Sequence, residues 1–117
     1  MKLSVRNRTR GGVLADAADI ADTSATRRTG LLQRKGLAKG EGLWIVPCES
    51  VHTFFMKFPI DLVYLDKAKK VRKVRRAMPP WRLSACFFAH SVLELPAGTI
   101  EATGTAAGDE ITIDKLG

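Results

Sequence analysis

A chain of 117 residues is long enough for one domain with its own core, because a domain of this size buries roughly 60–70% of the surface its unfolded chain exposes. A net charge of +7 favours anionic partners, and two cysteines, Cys48 and Cys86, are too few for a disulfide framework and point to free thiols in a reducing compartment. The opening stretch MKLSVRNRTRGGVLADAADI holds no continuous apolar run, which argues against a secretory signal or a spanning helix and predicts a soluble, cytoplasmic protein.

The charge is blocky. Residues 1–40 carry nine Lys/Arg against three Asp (net +6), residues 41–66 one against four (−3), residues 67–82 eight against none (+8) and residues 83–117 one against five (−4). Folding either joins the two basic blocks or sets them on opposite sides.

KLSVRN alternates Leu3 and Val5 with polar neighbours, TRGG supplies turn residues and VLADA resumes the extended pattern, which predicts an N-terminal hairpin. The period changes in DTSATRRTGLLQRKGLAKGEG, where Thr23 or Ser24 as N-cap, an apolar patch at Leu31 and Leu32 and a stop at Gly36 predict a short helix. Gly30 inside it costs about 1 kcal/mol relative to alanine, so the helix backbone is expected close against a sheet there. LWIVP, HTFFM and LVYLD are aromatic and β-branched runs bounded by Pro47 and the FPID turn, and predict three strands.

DKAKKVRKV reads as a turn into a strongly basic strand that MPPW terminates, because consecutive prolines cannot stay in a central ladder. AHSVLEL is a further strand, Pro96 is preorganised to start a helix of about two turns that stops at Gly104, and GDEITID is the last strand. The expected fold class is mostly β, a small β-sandwich or open barrel with two short α-helices, in a single compact domain over residues 1–117.

Several chemistries compete for the polar residues set among these strands. Cys48 with His52, and Cys86 with His90, share the spacing C-x-x-x-H. On a strand, residues four apart lie about 13 Å apart on one face, so neither pair alone chelates a metal, and structural zinc sites place two cysteines in a tight loop that is missing here. No metal and no cofactor is expected. As a nucleophile, Cys48 needs a neighbour such as His52 or Lys57 to stabilise its thiolate, whereas Cys86, beside Phe87 and Phe88, reads as a small core residue.

With residues 52–57 extended, His52, Phe54 and Met56 share one face, and Thr53, Phe55 and Lys57 the other. This is either a core strand with a satisfied histidine and a snorkelling lysine, or one wall of a ligand groove. Asp61 is expected to accept backbone hydrogen bonds in the FPID turn, with a buried pairing to Lys57 or Arg82 as the alternative. Trp81 and Arg82, after two prolines, offer a flat ring and a fork of donors on a rigid loop, or a cap for the open end of the sheet. The run Lys67, Lys69, Lys70, Arg72, Lys73, Arg75 and Arg76 is a solvated edge hairpin or a nucleic-acid surface without sequence readout.

Taken in order, NRTRG (7–11), GLL (30–32), GEGL (40–43), HTFFMKFPIDLVYLD (52–66), PPWR (79–82), VLELPAG (92–98) and GDEI (108–111) resemble the DUF192 family of small bacterial and archaeal domains. The resemblance spans nearly the whole chain and implies a compact, mostly β domain with no established activity. Two positions depart from the family pattern: KAKK stands where a glycine turn is usual, and Arg28 where a helix residue is usually apolar. Many relatives look exported behind a leader peptide; none is expected here, so an extracytoplasmic role is not carried over from the resemblance.

The expected function is that of a non-catalytic binding or accessory protein for an anionic small molecule or peptide, with a groove made by residues 52–61 and the 79–82 loop. Its ligand contacts are His52, Phe55, Lys57, Asp61, Trp81 and Arg82. The alternatives are a nucleic-acid binder through residues 67–76 and a cysteine enzyme using Cys48 and His52.

Overall fold

Alternation decides the first pair of strands. In β1 (Leu3–Asn7), Leu3, Val5 and Asn7 are buried while Arg6 is exposed. The following turn is closed by Asn7 N donating to Gly12 O (2.7 Å) and Gly11 N donating to Asn7 O (2.7 Å), which returns β2 (Val13–Ala21) antiparallel to β1 as expected. The structure is a computed structural model that describes residues 2–116.

Helix α1 (Ser24–Thr29) begins with a capping box: Thr26 N donates to the Thr23 hydroxyl (3.1 Å) and Thr23 N donates to the Thr26 hydroxyl (3.0 Å). It stops at Gly30, six residues before the expected stop at Gly36. Gly30 takes φ 48°, a region that side chains with a Cβ avoid, and the reversal drops Leu31 into the core.

The chain continues through β3 (Glu41–Ile45), β4 (Ser50–His52), β5 (Ile60–Leu65), β6 (Val71–Met78), β7 (Leu83–Ala85), β8 (Ser91–Pro96), α2 (Thr99–Thr103) and β9 (Ile111–Lys115). Three expectations change here. HTFFM is not a strand, since only His52 pairs and the remainder turns. Residues 83–85 add the strand β7, absent from the sequence reading. Pro96 ends β8 instead of starting a helix, and α2 follows Gly98, whose φ of 98° makes the corner.

Seven strands form one sheet in the order β6-β5-β8-β3-β2-β1-β9, with β2 and β3 parallel and the other neighbours antiparallel. β5 and β8 are interior strands of this sheet and are covered on both faces, which is why they read as near-continuous apolar runs. Val63, Leu65, Leu93 and Leu95 join Leu3, Val5, Val71, Ile100 and Ile111 in a core drawn from both edges of the sheet, so the sheet is curled around it. The other face carries Ile60, Leu62, Tyr64 and Val92 and is covered by a two-stranded sheet, β4 with β7, and by Leu31 and Met56.

The curl closes at a seam. Val71 N donates to Asp109 O (2.8 Å), Gly108 N to Val71 O (2.8 Å) and Ile111 N to Lys69 O (2.9 Å), and Lys70 bridges Glu110, so the β6 edge meets the start of β9. Asp109 holds this corner with its side chain, accepting from Asn7 Nδ2 (3.0 Å), Arg10 Nε (2.6 Å) and Ala106 N (3.0 Å). Burial alone would raise its carboxyl, but these three donors outweigh that and hold it below the ordinary carboxylate range. The architecture is a curled half-barrel, the open-barrel member of the two expected forms. No helix among the described residues is long and apolar enough to cross a membrane.

One acid lies inside the second core. Glu94 sits on β8 between Leu43 of β3 and Leu62 of β5 and shares the face of Val92. It is 3% exposed, its Oε1 has no hydrogen-bond partner, and burial pushes its carboxyl from the ordinary 4.5 up to about 7, opposed only by the charge of Arg34.

Two outcomes follow for stability. Asp109→Ala strands Asn7 and Ala106 donors at the seam and is expected to lower unfolding free energy by about 2–4 kcal/mol in urea denaturation. For Glu94 the folded state favours the protonated form, so its contribution is complete below the unfolded value and is lost as pH rises through the folded one. Relative to Glu94→Gln, the native protein is therefore expected to lose about 3 kcal/mol between pH ~4 and pH ~8, read as the difference between their urea midpoints at the two pH values.

Candidate functional site

The turn that replaces the expected HTFFM strand is built by one residue. Thr53 is fully buried, and its backbone N donates to Arg82 O (2.9 Å) while its carbonyl accepts from Trp81 N (3.0 Å) and Met56 N (3.1 Å). Its hydroxyl donates to Pro79 O (2.7 Å) and accepts from Arg82 N (3.0 Å). One side chain and one peptide thus staple residues 53–56 to the 79–82 loop, and satisfy groups that a proline-rich loop could not pair within itself.

The staple sets the rings. Past Thr53 the chain reverses through Phe55 at φ 66°, so Met56 turns inward (6% exposed) and Phe55 outward (71% exposed). This overturns the expected sharing of faces, in which Met56 lay beside His52 and Phe54. Trp81, at φ 68° and 55% exposed, meets Phe55 edge to face at 4.7 Å between ring centroids. Phe54 lies 6.1 Å from Trp81 and stacks on His52 at 5.2 Å. A left-handed backbone at a residue with a Cβ costs roughly 1–2 kcal/mol, so two aromatic side chains are held in solvent at an energetic cost. A third exposed ring, Phe88, has the same backbone form (φ 69°).

Of the expected contact residues, His52, Phe55, Trp81 and Arg82 therefore come together, and Lys57 lies two residues beyond Phe55, exposed. Asp61 does not join them. It is fully buried and accepts from Ala77 N (2.7 Å) and Ile100 N (2.8 Å), so it ties β5 to the end of β6 and to α2 instead of serving the FPID turn, Lys57 or Arg82. Phe54 completes the cluster. It was legible only as a strand residue, because its place between His52 and Trp81 follows from the turn.

The basic residues lie where an edge hairpin puts them: Lys67, Lys69 and Lys70 in the β5–β6 turn, and Arg72, Lys73, Arg75 and Arg76 on β6, the end strand of the sheet, beyond the part that meets β9 at the seam. Among the described residues, the ion pairs use Lys2, Arg8, Arg10 and Arg34, and none of these seven. Lys69 and Lys73 instead lie over the rings of Trp44 (5.8 Å) and Tyr64 (5.9 Å). Of the other basic block, residues 1–40, Arg27 and Arg28 belong to α1.

Cys48 and Cys86 are both free and half-buried, so Cys86 is less enclosed than its phenylalanine neighbours suggested. The Cys48 thiol donates to Ser50 O (3.0 Å), and burial raises it above the ordinary thiol range, the reverse of what a nucleophilic thiolate needs. Among the described residues no three His, Cys, Asp or Glu side chains converge as metal ligands.

The family model DUF192, described as an uncharacterized ACR (COG1430), matches residues 5–113. A UPF0127 protein of Thermococcus sibiricus is 34% identical over 115 residues, which cover 90% of this chain and 71% of that protein. A UPF0127 protein of Pyrococcus furiosus is 29% identical over 120 residues, covering 94% of this chain and 97% of the relative. A crystal structure of a Novosphingobium aromaticivorans protein of unknown function superposes with a TM-score of 0.82 at 20% identity, covering 96% of this chain and 84% of that one. That of a putative transcription regulator from Sinorhizobium meliloti gives 0.82 at 19% identity, covering 95% and 91%. These two likenesses carry the fold, and the sequence matches carry the family: the chain belongs to DUF192, a family of uncharacterised function.

Proposed function

We propose that this domain is a non-catalytic binding protein whose ligand face is the shelf of Phe54, Phe55 and Trp81, with His52, Lys57 and Arg82 at its margin. The observation that carries this reading is the pair Phe55 and Trp81, both exposed and both on left-handed backbone that a glycine would adopt without strain. Strain retained at exposed aromatic positions is the pattern of a recognition surface, and the Thr53 staple makes it rigid, which limits the entropy lost on binding. A planar or apolar group rests on the rings while Lys57 and Arg82 meet an anionic group, the chemistry of a small aromatic carboxylate or a peptide end. In a Trp44→Phe background, Trp81 emission is expected to shift with a member of a panel of aromatic carboxylates and short peptides. Phe55→Ala is expected to weaken that binding about tenfold, with the urea midpoint kept. Emission that no panel member changes counts against the shelf.

A second reading rests on a separate observation, the seven cations of residues 67–76, none of which takes part in an ion pair among the described residues. β6 runs directly into the 79–82 loop, so a single strand lying along β6 brings a base to Trp81. Affinity for a short oligothymidylate is then expected to fall with log salt at a slope of about 0.7 per phosphate contact, and to drop when Arg72, Lys73 and Arg76 are changed to glutamine. Binding that ignores salt removes this reading and leaves the shelf.

A further inference from the structure

On the side of His52 away from Phe54, Phe55 and Trp81, none of which lines it, a cavity of about 290 Å³ opens between the end of α1, the loop after β3 and strand β4. Its depth is lined by the buried apolar residues Leu31, Ile45, Val51 and Met56, and among them lies Glu94. Its entrance carries Arg27, half-buried, and Arg28, exposed.

Glu94 has no structural duty that its neighbours reveal. Its cross-strand partners are leucines, and its Oε1 is buried without a partner. Arg34, whose charge favours the ionised form of Glu94, is already paired with Asp19 (Nη2 to Oδ2, 2.8 Å). A Cβ at Gly30 would lie 3.8 Å from Oε1, so the reversal that ends α1 covers this carboxyl with bare backbone. An acid kept in an apolar floor without a donor destabilises the fold relative to a methyl-bearing side chain, unless something else supplies the donor.

The entrance has the opposite character. Arg27 Nε donates to Thr23 O (3.3 Å) and its Nη1 to Pro47 O (3.4 Å), and Arg28 Nε donates to Ser24 O (3.3 Å), so both guanidinium groups are oriented by backbone carbonyls. Neither takes part in an ion pair among the described residues. The other acid at the entrance, Glu49, is engaged by Phe88 N (2.7 Å), and Cys48 and His52 are the remaining titratable groups on the walls.

We infer that this cavity binds a small zwitterion, with a primary ammonium group hydrogen-bonded to Glu94, a short aliphatic segment along the apolar walls and a carboxylate held by Arg27 and Arg28. Ammonium is the donor that satisfies a buried carboxylate most strongly, and guanidinium is the group that holds a carboxylate by two parallel bonds. A free amine, which lacks the carboxylate, and a simple fatty acid, which would bury a second anion beside Glu94, each satisfy only one end.

The probes are 6-aminohexanoate, hexylamine and hexanoate, and the readout is the Glu94 carboxyl carbon by NMR, together with affinities for the native protein and for Glu94→Gln, Arg27→Ala and Arg28→Ala. The bound ammonium favours ionised Glu94, so 6-aminohexanoate is expected to lower the Glu94 titration midpoint and to bind about tenfold more tightly at pH ~8 than at pH ~6. Glu94→Gln is expected to weaken binding at pH ~8 by about tenfold. The arginine variants are expected to weaken 6-aminohexanoate while leaving hexylamine unchanged. A Glu94 resonance that neither amine perturbs overturns the inference in the native protein, whatever becomes of the variants, and so does hexanoate binding as well as 6-aminohexanoate. Trp81→Ala is expected to change none of these values, which keeps this site distinguishable from the shelf.

Discussion

The seam at Asp109 is the constraint on which the rest of the fold rests. A curled sheet of seven strands has two flanks of unpaired backbone, and here the two flanks are turned to each other and joined by the backbone bonds among Lys69, Val71, Asp109 and Ile111. Asp109 gathers donors from β1, from the turn after it and from the loop before β9, so the corner is fixed by side chain and backbone together. Because the seam sets the curl, it also sets the space inside, which Ile100 of α2 fills from one end.

The outer layer depends on a different kind of joint. β4 and β7 are three residues each, too short to hold themselves, and they are retained by packing on β5 and β8, by the Tyr64 hydroxyl donating to Ser84 Oγ (3.0 Å) and by Lys73 Nζ donating to Ala85 O (2.7 Å). The Thr53 staple then extends this layer into the loops beyond. The molecule therefore divides its work: the curled sheet supplies stability, and the thin layer over it carries the strained aromatic residues and the walls of the Glu94 cavity.

Most of the sheet was legible because its evidence is local. Alternation marked β1 and β2, apolar runs marked β5 and β8, the cation-rich run marked β6, and Thr23 marked the start of α1. HTFFM has the composition of a strand, and only hydrogen bonds from Thr53 to residues 79–82 make it a turn, so the deciding information lay far off in the sequence. Asp61 misled for the same reason, since its donors come from β6 and α2. Glu94 sits in VLELPAG like any outward residue of an alternating strand, and becomes an interior acid only when Gly30 and Leu31 fold over it. His52, Phe55, Trp81 and Arg82 were legible as a set because their types suit contact chemistry wherever they lie, while the parallel pairing of β2 with β3 left no local trace.

β1 pairs along its whole length with β9, from Leu3 against Lys115 to Asn7 against Ile111. A ribosome delivers these two strands at opposite ends of the synthesis of this stretch, so one flank of β1 waits bare until nearly all the intervening chain has emerged. Arg6 and Arg8, both exposed, lie on and just after that waiting strand. Their charges oppose pairing with a second nascent chain, a gatekeeping duty that ends once β9 arrives.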